Sequence, residues 1–175
     1  LLWRVVPTVV RVNDDCTDQI VALLFSAMER FPENMDIYLD MNNVCFIPGI
    51  SLYMRGNVYD EVIQTRGIEF MLSRTRENGW DRLEHEHVIQ VVSTVAASMT
   101  GYPANEVLQR NCVSLFHSLG DVHEEWCEDD NIVGEIVHPV FAAMMGYPGN
   151  EAIQTQASEV LSSTVRVAPS LCGVM

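Results

Sequence analysis

Basic residues are scarce in this chain. Ten arginines and no lysine stand against 24 aspartates and glutamates over 175 residues, so the formal net charge is −14. A surface this acidic repels phosphate backbones, which argues against DNA or RNA as a direct partner. A protein partner, one that carries basic segments, fits the charge better. The sequence indicates no particular oligomeric state.

Long hydrophobic runs are also missing, although 48% of the residues are hydrophobic. No apolar stretch approaches the roughly 18 residues of a membrane helix, so no membrane span is predicted. The first residues lack the basic start and small-residue cleavage site of a signal peptide. The five cysteines are odd in number and form no CxxC pair, a usage typical of a reducing compartment. We therefore expect a cytoplasmic protein.

Motifs for catalysis and for metal binding are missing as well. The chain has no Gly-rich phosphate loop, nucleophile elbow or Cys–His catalytic set. His85 and His87 are two residues apart and would point to different faces of a helix. His123 and Cys127 have a spacing that could hold zinc on a helix, but no second pair stands nearby. The acidic run 128–130 lacks the calcium-loop pattern. We expect no metal, no cofactor and no enzymatic activity in this segment.

The chain does contain a repeat with a period of 45 residues. Residues 99–109 read Met-Thr-Gly-Tyr-Pro-Ala-Asn-Glu-Val-Leu-Gln, and residues 144–154 read Met-Met-Gly-Tyr-Pro-Gly-Asn-Glu-Ala-Ile-Gln. A weaker copy occupies residues 54–64 in the same register. A fixed period of roughly 40 to 47 residues, with apolar positions at helical spacing, is typical of stacked helical repeats.

Each strong copy has the residue types of a tight corner between two helices. Gly101 and Gly146 permit a left-handed residue that ends the first helix. The proline two residues later suits the start of the next helix. Asn105 and Asn150 are suitable N-caps for that second helix. The sequence therefore predicts antiparallel helix pairs, joined at corners of the same design.

About four such pairs are predicted, all in one repeat segment that covers residues 1–175. The sequence Ile-Pro-Gly-Ile at 47–50 is predicted to break the chain between the first two pairs. Both ends of the chain are apolar where the cap of a repeat array is polar, so we expect a fragment of a longer array. The predicted units are approximately residues 18–46, 48–74, 84–119 and 131–165.

The pattern resembles armadillo repeats, over residues 18 to 165. The third helix of that family often carries Asn, two residues, an aliphatic residue and Gln, followed by a small residue and further aliphatic residues. The matching segments are 105–109 with Cys112 and Leu115, 150–154 with Ala157 and Val160, and, more weakly, 60–64 with Gly67 and Phe70. The resemblance implies an all-α fold, a right-handed α-solenoid of about four armadillo-like (ARM or HEAT-like) helix-pair repeats.

In that family the third helices line a groove that binds extended peptides. The nuclear-import branch uses a Trp and, four residues later, an Asn on this helix. Glu or Ser stands at those positions here, so the resemblance does not extend to that binding mode. The candidate partner-binding residues that it implies are Arg66, Glu69, Ser73, Asn111, Ser114, Ser118, Gln156, Glu159 and Ser163.

Trp80 and Trp126 lie at nearly equivalent loop positions of two units. Loop aromatics often anchor interfaces, which makes both further candidates for partner binding. The alternative, which the recurrence with the repeat favours, is that each packs as a lid over its own helix pair.

The function predicted from these features is a non-catalytic protein–protein interaction scaffold, which binds a peptide or a partner domain on its repeat surface. Two alternatives stay open. The chain could be a structural segment of a large cytoskeletal or ciliary assembly. It could also be the regulatory repeat region of a larger enzyme, such as a kinase or a ubiquitin ligase.

Overall fold

A computed structural model describes residues 23, 26, 27, 30, 46–75, 83–122 and 130–167. From residue 46 onward the described residues form six α-helices and no strand, which confirms the all-α fold class. The helices are α1 (Phe46–Gly56), α2 (Glu61–Thr75), α3 (His85–Gly101), α4 (Glu106–Val122), α5 (Asp130–Gly146) and α6 (Glu151–Val167).

These helices form three hairpins that pack in two layers. Within the hairpins, α1 contacts α2, α3 contacts α4, and α5 contacts α6. Between hairpins, first helices pack on first helices, since α3 contacts both α1 and α5. Second helices do the same, since α4 contacts both α2 and α6. The second hairpin therefore lies between the first and the third.

Apolar residues at helical spacing form the core between the layers. In α3, Val88, Val91, Val92, Val95 and Met99 are all buried, and they follow the i, i+3, i+4, i+7 pattern of one helix face. Burying a side chain of this size contributes about 1.5–3 kcal/mol. The core is continuous over the described helices, because one cluster of buried residues includes members of all six.

The predicted break at 47–50 is wrong, because α1 begins at Phe46 and continues through Pro48 and Gly49. Pro48 stands in the first turn of the helix. The N–H groups of the first turn have no partner within the helix, so a proline there sacrifices no hydrogen bond. The three hairpins span residues 46–75, 85–122 and 130–167, and the first predicted unit, 18–46, lies mostly outside the described residues.

The predicted left-handed end of the first helices is also wrong. Tyr102, which follows α3, has φ −129° and ψ 58°. Neither Gly101 nor Gly146 has a positive φ, and a Cβ added to either would meet no atom within 4 Å. Backbone bonds close these helix ends, from the N–H of Tyr102 to the carbonyl oxygen of Ser98 at 3.1 Å and from the N–H of Tyr147 to that of Ala143 at 3.0 Å, and a side chain adds further bonds.

Candidate functional site

A glutamine from the second helix closes each corner. Nε2 of Gln109 donates hydrogen bonds to the carbonyl oxygens of Met99, at 2.7 Å, and Tyr102, at 3.1 Å. Gln64 and Gln154 make the same pair of bonds one period earlier and one period later. Gln109 thereby supplies a donor to the carbonyl group of Met99 near the end of α3 and a second donor to that of Tyr102, which also accepts the N–H of Asn105. The periodic glutamine was visible in the sequence, but its capping role was missed.

The predicted N-caps are confirmed. Oδ1 of Asn105 accepts the N–H of Leu108 at 2.9 Å. Oδ1 of Asn150 accepts the N–H of Ile153 at 3.0 Å. Asp60 caps α2 in the same way, accepting two backbone N–H groups of the first turn at 3.0 and 3.1 Å.

Tyrosines tie each corner to the one before it. The hydroxyl of Tyr102 donates to the carbonyl oxygen of Val58 at 3.0 Å, and that of Tyr147 donates to the carbonyl oxygen of Pro103 at 2.8 Å. Desolvation raises the pKa of Tyr102 above its usual value, and the negative charge of Glu61 adds to the effect.

Asparagines make a second tie beside the tyrosines. Nδ2 of Asn105 donates to Oε1 of Glu61 at 2.8 Å, and Nδ2 of Asn150 donates to Oε1 of Glu106 at 2.7 Å. Each asparagine therefore caps its own helix with its oxygen and reaches the preceding corner with its nitrogen. The four side-chain bonds made by Tyr102, Tyr147, Asn105 and Asn150 are termed the corner ladder.

The predicted groove residues lie on α2, α4 and α6. Because α4 packs against both α2 and α6, the residues of the three helices follow one another across a single layer. This set is termed the second-helix row. It consists of Arg66, Glu69 and Ser73 on α2, Asn111, Ser114 and Ser118 on α4, and Gln156, Glu159 and Ser163 on α6.

Contacts within the layer bring part of the row together. The hydroxyl of Ser114 donates to Oε1 of Gln156 at 2.6 Å, across the α4–α6 boundary. Beside it, Nε2 of His117 lies 2.8 Å from Oε2 of Glu159. On α2, Nη1 of Arg66 lies 2.8 Å from the carboxylate of Glu69, three residues later.

Three of the four hydroxyl donors of the row are used inside their own helices. Ser73 donates to the carbonyl oxygen of Phe70, Ser118 to that of Ser114, and Ser163 to that of Glu159. The carboxylates remain accessible: the side chain of Glu69 is 33% exposed and that of Glu159 is 57% exposed. Because Arg66 is paired with Glu69, the row carries one net negative charge, which corresponds to the carboxylate of Glu159.

A groove that the sequence interpretation missed runs between α3 and α5. It has a volume of about 560 Å³. Its floor carries small residues, including Ala96, Ala97 and Gly134, and the hydroxyl of Ser93 donates to the carboxylate of Glu135 across it. The stacking of repeats predicted that α3 and α5 are neighbours, but not that a groove lies between them. The signal that was overlooked is the set of small residues on the two helices.

Trp80, Trp126, His123 and Cys127 lie outside the described residues. Among the residues that are described, no three His, Cys, Asp or Glu side chains are grouped so that they could hold a metal ion. Cys112 is a free cysteine of the core, and burial raises the pKa of its thiol, which suppresses the reactive thiolate.

Comparisons with family models, with curated proteins and with solved structures found no match. The resemblance to armadillo repeats thus depends on the corner and second-helix residues themselves. None of the helices in the described ranges combines the length and the apolar character that crossing a bilayer requires.

Proposed function

We propose that this chain is a non-catalytic scaffold, an armadillo-like α-solenoid, that binds a basic segment of a protein partner along the second-helix row. The observation that supports this best is the register of the row. Equivalent residues of α2, α4 and α6 follow one another across adjacent helices, and the carboxylates of Glu69 and Glu159 remain partly exposed.

The geometry sets the spacing of the partner's basic residues. Adjacent packed helices lie about 8–10 Å apart, and an extended peptide advances about 3.3 Å per residue. About three residues of such a peptide therefore pass over each helix. Glu69 and Glu159 stand two helices apart, so they suit two cationic side chains separated by about six positions.

The charge contribution of this contact is small. An exposed ion pair contributes about 0.2–1 kcal/mol, and salt screens it. Two such pairs change affinity by no more than about thirtyfold. The acidic row therefore selects the partner and orients it, and apolar contacts must supply the rest of the affinity.

The direct test measures the binding of fluorescent extended peptides by anisotropy, at low and at moderate salt. Peptides with two arginines six positions apart should bind more tightly than peptides of the same composition with the arginines adjacent. Glu69→Gln combined with Glu159→Gln should weaken binding and flatten its salt dependence. The matched control is Glu86→Gln, which removes an exposed carboxylate from α3 in the other layer. An affinity that depends neither on salt concentration nor on peptide charge would contradict the proposal.

A second candidate is a structural segment of a larger assembly. It is favoured by the exposed apolar residues of α5, where Phe141 is 55% exposed and Met145 is 68% exposed. Large apolar side chains on a free surface mark contacts with another polypeptide.

A further inference from the structure

The third hairpin exposes a face that the first two hairpins bury. Six residues of α5 and α6 are partly or fully exposed: Val137, Phe141, Met144, Gln154, Ser158 and Leu161. The residues at the same positions one and two periods earlier are all buried. At one position of the first helices, exposure is 0% for Ser51, 8% for Ala96 and 55% for Phe141.

The earlier residues are buried because the next hairpin covers them. The hydroxyl of Ser51, on α1, lies 2.6 Å from that of Thr94, on α3. Ala96, on α3, lines the groove whose other wall is α5. The exposed face of α5 and α6 therefore continues two established interfaces.

The acceptors of the corner ladder have one further pair of equivalents, one period later in the chain. Tyrosines bond the carbonyl groups of Val58 and Pro103, and the next equivalent residue is Pro148. Asparagines bond the carboxylates of Glu61 and Glu106, and the next equivalent is Glu151, which is exposed.

We propose that this end face, the six exposed residues with the Pro148 carbonyl group and the Glu151 carboxylate, binds one further helical hairpin. The corner of that hairpin carries a tyrosine and an asparagine three residues later, as the second and third hairpins do. Its first helix covers Phe141, and its second helix covers Ser158 and Leu161. This inference does not depend on the second-helix row.

A second copy of the chain does not fit this face through its first hairpin. That hairpin has Asn57 and Asp60 where the later corners have tyrosine and asparagine. The amide of Asn57 donates to the carbonyl oxygen of Tyr53 in its own helix. Asp60 would meet Glu151, and two carboxylates repel each other. The corner residues therefore select against stacking of a second copy through its α1–α2 hairpin.

The test extends the chain by one period. A second copy of residues 123–167 is inserted after Val167, which keeps the 45-residue spacing and supplies the tyrosine and asparagine. If the face binds the added hairpin, unfolding remains one transition and Tm rises by about 4 °C or more. Amide hydrogen exchange in the original α5 and α6 becomes slower, because these helices are now covered.

Two variants make the test specific. Phe141→Glu in the original copy changes an exposed residue, so it should leave the parent chain folded. In the extended chain it should abolish the rise in Tm. In the inserted copy, Tyr147→Asn together with Asn150→Asp reproduces the first corner and should lose most of the gain.

Three results would overturn the proposal. One is a parent and an extended chain with equal exchange in α5 and α6. Another is a full gain in the variant that has the first corner's residues. The third is a dimer of the parent chain in sedimentation analysis that Phe141→Glu dissociates, since the face would then bind a second copy.

Discussion

Gln64, Gln109 and Gln154 each reach ten residues back along the chain to the end of the preceding helix. The amide nitrogen is essential to this role because the groups at a helix C-terminus are acceptors. Glutamate would present only acceptors, and leucine would fill the space without donating. The side chain at this position therefore determines whether the carbonyl groups of the corner receive these two hydrogen bonds.

Replacing Gln109 with leucine removes two hydrogen bonds from a side chain that is 2% exposed. We expect Gln109→Leu to lower the free energy of unfolding by about 2 kcal/mol, at about 1 kcal/mol for each bond. Urea denaturation would measure this change.

Gln154→Leu is the matched control. It removes the same two bonds from a partly exposed corner, where water can reach the carbonyl groups. The loss should therefore be smaller than for Gln109→Leu. Equal losses would show that burial does not determine the energy of the cap.

Tyr102 makes the stability depend on alkaline pH. Its pKa is raised in the folded protein, so its contribution is constant below the ordinary tyrosine pKa of about 10 and is lost as pH rises through the raised value. Deprotonation removes the donor to Val58 and places a negative charge near Glu61.

The stability difference between the parent chain and Tyr102→Phe should therefore shrink as pH rises above about 10. Urea denaturation at pH 8 and at pH 11 would show it. Tyr59→Phe serves as control, because Tyr59 is 97% exposed and its substitution should have little effect at either pH. A difference for Tyr102→Phe that stays constant with pH would contradict the assignment.

The residues of the corner differ in how far the sequence could predict them. Asn105 caps a helix by bonding an N–H three residues away, so local sequence was sufficient. Gln109 acts on carbonyl groups seven and ten residues away, and its role appears only once the two helices cross. The left-handed cap at Gly101 was predicted from the glycine alone; in its place the N–H of Tyr102 bonds the carbonyl oxygen of Ser98, and Gln109 bonds that of Met99.

At the scale of elements, Gly67 sets how closely α2 approaches α1. A Cβ at this position would meet the side chain of Met54, with Cγ at 2.8 Å and Sδ nearer. Met54 is itself fully buried, so it has little room to move. Gly134, within α5, is the opposite case, since a Cβ there would meet nothing within 4 Å.

These two glycines predict substitutions of opposite sign. Gly67→Ala should destabilise the fold by about 1–3 kcal/mol from overpacking, which exceeds the helix-propensity gain of about 1 kcal/mol. Gly134→Ala should keep that gain and stabilise the fold by up to about 1 kcal/mol. Thermal and urea unfolding of both variants would test the pair. Stabilisation by Gly67→Ala would mean that Met54 repacks at little cost.

Periodicity predicted the elements better than local signals did. The apolar positions at helical spacing were a sufficient signal for the helices, because the core imposes its spacing on the sequence. The Pro-Gly pair at 48–49 was misinterpreted as a break because a proline in the first turn of a helix sacrifices no hydrogen bond. The α3–α5 groove was missed, because the repeat period predicts that the two helices stack and does not show where small side chains leave space between them.

At the scale of the whole molecule, each hairpin depends on the hairpins beside it. The second hairpin has neighbours on both sides, whereas the third leaves α5 and α6 uncovered on one face. In such an array, stability is approximately a sum of terms for each unit and for each interface.

Native-state hydrogen exchange should therefore be slowest in α3 and α4. Amides of α5 and α6 should exchange faster. Local opening of these two helices breaks one interface between hairpins, whereas opening of the second hairpin breaks two. Exchange followed by mass spectrometry of peptic fragments would resolve the helices. Uniform protection across α3 to α6 would indicate that the hairpins unfold only together.

The regular spacing of the corner ladder has a consequence for the gene that encodes this protein. Loss of residues 83–127, one period of 45, would bring Tyr147 opposite Val58 and Asn150 opposite Glu61, the acceptors that Tyr102 and Asn105 bond now. The same bonds would form with the same partners. Duplications and deletions of 45 codons should therefore leave a foldable product. A length change of any other size within a hairpin would move the tyrosine and asparagine donors away from their acceptors.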